Sequence, residues 1–78
     1  MIEIYEPRYR DRSVLVAGYK IAIGYPIQIR IKRGAYKGDY EASSSVVYHS
    51  PCETMHTRSG RDIVMRAIPL DKLERLPS

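Results

Sequence analysis

The chain contains no tryptophan, no phenylalanine and a single cysteine among its 78 residues. Without Phe or Trp, its core has to be assembled from Ile, Val, Leu, Ala and Met, with tyrosine as the one aromatic filler. The lone Cys52 excludes an intramolecular disulfide, the staple on which many small secreted domains depend. A reduced, cytoplasmic setting is therefore the expectation. Long apolar runs are missing too. The longest, Val14–Gly18, counts five residues including its glycine, whereas a membrane span takes about 20. No basic–apolar–small leader opens the chain, so neither secretion nor a membrane partner is expected. There is no internal repeat, heptad pattern or low-complexity tract beyond Ser43-Ser44-Ser45. A chain this short forms one domain, residues 1–78, and buries roughly 60–65% of its unfolded surface, so the core is marginal.

What is present is tyrosine and positive charge. Seven tyrosines offer an apolar body with a polar tip, suited to half-buried positions and binding surfaces. The formal net charge of +4 lies wholly in the first half: residues 1–40 hold eight Lys/Arg against four Asp/Glu, and residues 41–78 hold five of each. That asymmetry points to an anionic partner, either nucleic acid or an acidic protein surface.

Alternation of apolar and polar residues predicts a chain of short strands. Ile2–Tyr5 reads as a first strand stopped by Pro7, and Ser13–Ala17 as a second that continues through Tyr19, Ile21 and Ile23, with a bend at Gly18. Gly24-Tyr25-Pro26 marks a turn. Ile27–Lys32 is the clearest strand, Arg33–Ala35 turns, and Tyr36–Ala42 and Val46–His49 read as strands. Thr54–Arg58 and Arg61–Ile68 flank the hairpin signal Ser59-Gly60. Asp71–Leu76 reads as a short helical turn in which Leu70, Leu73 and Leu76 recur at spacing three. The expected fold is mainly β: a small antiparallel barrel or strongly bent sheet, SH3-like first and OB-like second, with a short C-terminal helical turn. Its core is expected from Val14, Val16 or Leu15, Ile21, Ile27, Ile29, Ile31, Ile63, Met65, Ile68, Leu70 and Leu73.

Two segments are candidates for binding. In Ile27–Ala42 the isoleucines point one way and Gln28, Arg30 and Lys32 the other, with Arg33, Tyr36, Lys37 and Tyr40 following around Gly34 and Gly38. Tyr36 and Tyr40 are expected to share a face as stacking or packing groups. The segment locally resembles the KOW element of SH3-like barrels in ribosomal proteins and transcription factors, on Ile29, Ile31, Gly34, Lys37 and Gly38. Asp39–Ala42 stands where that element has a later glycine. The resemblance implies a basic loop that touches RNA or protein. In the second segment Arg8, Arg10 and Arg12 alternate, which in an extended chain puts three guanidinium groups on one side, with Tyr5 and Tyr9 nearby to stack a base. Arginine also grips carboxylates in bidentate fashion, so an acidic protein fits the same residues.

Catalysis and metal binding are not expected. His49, Cys52 and His56 have suitable ligand chemistry, with Glu53 as a fourth group, but the spacing is local and no second ligand pair exists. Cys52 lacks an orienting group, and the serines lack a nucleophile elbow. No cofactor is implied. The expected function is a small non-enzymatic module associating with nucleic acid (RNA or DNA). The alternative is a protein-binding module, such as a phage or mobile-element inhibitor of a host nuclease or CRISPR effector. A homodimer through an edge strand at Val46–His49 is compatible with either.

Overall fold

The computed structural model describes residues 1–18, 21 and 24–77. The fold is mainly β, with a strongly curled, half-barrel sheet and a short 3₁₀ turn near the C-terminus. The strands are β1 (Ile2–Ile4), β2 (Tyr9–Arg10), β3 (Ser13–Ala17), β4 (Ile27–Ile31), β5 (Gly38–Ala42), β6 (Cys52–His56), β7 (Asp62–Pro69) and β8 (Glu74–Arg75). One sheet runs β1-β4-β5-β8 and the other β2-β3-β7-β6. Among the described residues every pairing is antiparallel except β1 with β4, which is parallel.

The core lies between the sheets. Alternation on β4 sends Ile27, Ile29 and Ile31 inward, opposite Tyr40 and Ala42 of β5, and they meet Val14, Val16 and Ile68 of the second sheet. Ile29, Val14 and Ile68 are fully buried. Ile2, Ile4, Ile21, Leu70 and Leu73 close the margins.

Ile63 and Met65, expected in this core, lie on the other face of the second sheet, as does Leu15. There they are half-buried, because the sheet curls over that face. β2 and β6 end the sheet on opposite sides, yet Arg10 Nη1 lies 2.6 Å from Glu53 Oε1, and Arg8 Nη1 lies 2.9 Å from the Met55 sulfur.

The segment expected as a strand at Val46–His49 is a helix, α1 (Ser44–His49). Its β-branched pair reads as strand, but the flanking serines hold the helix ends. The Ser43 side chain accepts from the Val46 N–H, and the Ser50 hydroxyl donates to the Val47 carbonyl at 2.8 Å. Val47 is buried in the core. The homodimer edge placed there therefore has no strand to carry it.

Other boundaries shift for local reasons. β3 ends at Ala17 and does not continue to Ile21, whose N–H bonds to the Gly18 carbonyl; Tyr19 and Ile23 lie outside the described residues. β6 begins two residues before the expected Thr54 and ends two before the expected Arg58, because the Thr57 hydroxyl bonds both backbone groups of Arg61 and closes the hairpin loop ahead of Arg58. The C-terminal turn is shorter than expected, a 3₁₀ turn at Leu70–Lys72, and Glu74–Arg75 instead pairs with β5.

Candidate nucleic-acid interface

Tyr9 lies opposite Val14 on β2 and so faces the side of the second sheet that carries the core. At that margin its ring meets Tyr36, on the loop between β4 and β5, with centroids 5.3 Å apart and planes inclined at 53°. The contact ties the two sheets together at their rim. Both rings remain open to solvent, Tyr9 at 41% and Tyr36 at 45% exposure. Burial by its neighbours raises the Tyr9 phenol above its ordinary value.

Asp11 and Arg12 link β2 to β3 as a two-residue hairpin turn, with φ of 48° and 61°. Positive φ at both positions is the geometry that Asn-Gly ordinarily supplies. Asp tolerates it; arginine there costs on the order of 1 kcal/mol or more. The turn is held by the Leu70 N–H, which donates to the Arg12 carbonyl at 2.9 Å. Tyr9, Tyr36, Arg12, Pro69 and Leu70 together line an open cleft of about 700 Å³, with Asp11 and Asp71 also on its wall.

The other cations expected to act together are dispersed. Arg8, Arg10 and Arg12 do not share a side: the first two reach across the concave face to Met55 and Glu53, and only Arg12 lines the cleft. The reason is the tight turn, which reverses the chain between Arg10 and Arg12. Arg30 donates to both Asp39 oxygens, at 2.8 and 3.1 Å, and lies 3.6 Å from Glu3. These three residues stand side by side on neighbouring strands. Hydrogen bonding from Arg30 holds Asp39 below its usual carboxylate value, and bonding from Tyr5, with Lys32 nearby, does the same for Glu3. Lys32 sits 5.8 Å from the centre of the Tyr5 ring. The outer face of β4 is therefore internally neutralised. Arg33 and Lys37 stay exposed on the loop that bears Tyr36, and neither forms an ion pair among the described residues.

Tyr36 and Tyr40 also separate. Tyr40 is 8% exposed and packs in the core; its hydroxyl donates to the Tyr36 carbonyl and accepts from Arg75. Tyr9, Pro69 and Leu70 complete the cleft. Of these, Tyr9 was signalled by its place between two arginines, whereas Pro69 and Leu70 carry no local signal and arrive through the pairing of β7 with β3. Cys52 and His56 lie on the face of the second sheet that carries the core, but exposed on its edge strand beyond it, and His56 pairs with Asp62. Among the described residues no His, Cys, Asp and Glu side chains group to hold a metal ion.

No family model, curated protein or solved structure matches this chain.

Proposed function

We propose that this chain is a non-enzymatic nucleic-acid-binding module whose ligand is single-stranded RNA or DNA, taken up at the Tyr9–Tyr36 cleft. The observation that carries this reading is the exposed tyrosine pair with Arg12 lining the same cleft. A duplex hides the faces of its bases, while a single strand presents them for stacking, which contributes about 1–3 kcal/mol per base on an aromatic platform. Arg12, Arg33 and Lys37 supply charge for the phosphates, and the net charge of +4 favours the encounter. Arg30 is committed to carboxylates and contributes little.

Fluorescence anisotropy with labelled single-stranded oligonucleotides at several salt concentrations tests the reading. With about three cations engaged, the log–log salt slope is expected near −2. Tyr9→Ala and Tyr36→Ala should each weaken binding clearly, and Arg30→Ala should leave it nearly unchanged. An absence of binding at low salt would overturn the reading. The apolar wall at Pro69 and Leu70, with Arg12 to grip a carboxylate, then favours a protein segment that carries an acid beside an apolar group, and the loss on mutation would concentrate in one tyrosine or in Arg12.

A further inference from the structure

β6 differs from the other strands that end a sheet. β1 has three residues and β2 and β8 have two each, while β6 has five. Short edges are an ordinary protection against pairing with another chain. β6 carries no Lys, Arg or Pro, and its single acid, Glu53, is turned to the concave face and held by Arg10. Among the described residues, its backbone bonds only to β7.

The phase of this edge follows from the ladder. The Thr57 N–H bonds to the Arg61 carbonyl and the Ala67 N–H to the Pro51 carbonyl. Both pairs continue the register in which His56 faces Asp62 and Cys52 faces Arg66. Bonded and non-bonded pairs alternate along an antiparallel ladder. Glu53 and Met55 thus direct their backbone groups to β7, and Cys52, Thr54 and His56 direct theirs outward.

We propose that a second copy of this chain pairs on this edge, β6 against β6, about a two-fold axis at Thr54. Thr54 then faces its own counterpart, and Cys52 faces His56 of the second copy. Every outward N–H and C=O of one β6 meets a partner on the other. A two-fold axis normal to the sheet keeps the faces in phase, so the competing registers centre on Glu53 or Met55. Each of those leaves one end residue of the edge unpaired, and the first also sets two Glu53 carboxylates against each other. In the Thr54 register Glu53 meets Met55, and no like charges are opposed. Val64, 47% exposed and opposite Thr54, comes to lie inside a continuous sheet instead of one strand from its edge.

Sedimentation equilibrium of the full chain across micromolar concentrations is expected to show a monomer–dimer equilibrium. T54E opposes two carboxylates at the axis, and T54P removes an outward N–H without touching the β6–β7 bonds. Each should weaken association by about tenfold or more, with circular dichroism confirming the fold. The double variant C52S/T54C should cross-link under mild oxidation, since the facing Cα atoms would stand about 5.5 Å apart, within disulfide reach. Wild-type Cys52, opposite a histidine, should not. A monomer at every concentration overturns the proposal, as does a dimer that T54E leaves intact or a T54C variant that fails to cross-link. The expected dissociation by T54E together with the cross-link would establish it even if T54P does not fold.

Discussion

The buried Tyr40 hydroxyl donates to the Tyr36 carbonyl at 2.7 Å, and Arg75 donates to the same hydroxyl at 2.7 Å. A core residue on β5 thereby fixes the backbone of the loop that carries the exposed Tyr36 ring. Arg75 also lies over the Tyr40 ring, 5.1 Å from its centre, so β8 clamps the arrangement from outside. Tyr40→Phe keeps the packing and removes the bond. It should lower stability by about 0.5–1.5 kcal/mol in a urea melt. It should also weaken oligonucleotide binding although the Tyr36 ring is untouched, and unchanged affinity would show that the loop keeps its position without Tyr40.

Ile29 is fully exposed to the core and fully hidden from water, in the middle of β4 between β1 and β5. Ile29→Ala removes buried methyl groups and leaves a cavity. The expected loss is about 2–4 kcal/mol, read from a denaturant midpoint at constant slope. A loss below half of that range would mean that the two sheets close readily around the vacancy.

Gly38 has φ of 151°, and a Cβ built there would stand 2.9 Å from Arg75 Nη1. Crowding by a flexible arginine tip is relieved cheaply; the backbone conformation is not. Gly38→Ala should therefore cost about 1–3 kcal/mol. Most of that cost should persist when Arg75→Ala is added. If the second substitution restores full stability, crowding was the cause.

Acid should unfold the protein partly through the outer face of the first sheet. The folded pKa values of Asp39 and Glu3 lie below their ordinary values, chiefly through hydrogen bonds from Arg30 and Tyr5 respectively. A depressed folded pKa contributes stability that is fully present above the unfolded value, about 4 for carboxylates, and is lost as pH falls through the folded one. The melting temperature of Asp39→Asn should consequently fall less than that of wild type between about pH 5 and about pH 3. Parallel curves would remove Asp39 from this account.

Glu41 and Glu74 face each other in the β5–β8 register. Like charges directly opposite on a sheet are unfavourable, by a few tenths of a kcal/mol or more. Glu74→Lys should raise the melting temperature, and added salt should shrink the gain. A salt-independent change would point to packing instead.

Much of the fold is legible from period-two alternation. Ile27, Ile29 and Ile31 mark one strand and its inward face, and Ser13–Ala17 is read as a strand, although the continuation expected beyond Gly18 is not part of it. The same rule fails at Val46–Val47, where two β-branched residues sit in a helix because Ser43 and Ser50 satisfy its ends. It also misplaces Ile63 and Met65, since alternation identifies a face without saying which of two faces meets the other sheet. For the site, the sequence nominates Arg12, Arg33, Tyr36 and Lys37 as binding groups, and the structure leaves all four exposed. It equally nominates Arg30 and Tyr40, which the structure pairs or buries.

The sequence by itself determined the class of this protein, mainly β with an aliphatic core, because side-chain alternation and the lack of Phe and Trp act locally and need no partner. It also determined that positive charge gathers in the first forty residues. Only the tertiary structure decided which charges remain available. Register sets Arg30 beside Asp39 across the β4–β5 hairpin and beside Glu3 on β1, and curling brings Arg10 to Glu53, 43 residues away. The pairing of Tyr9 with Tyr36 is likewise a product of two sheets meeting at a rim. Such contacts depend on how separate strands are placed in space, and no spacing within one segment encodes that.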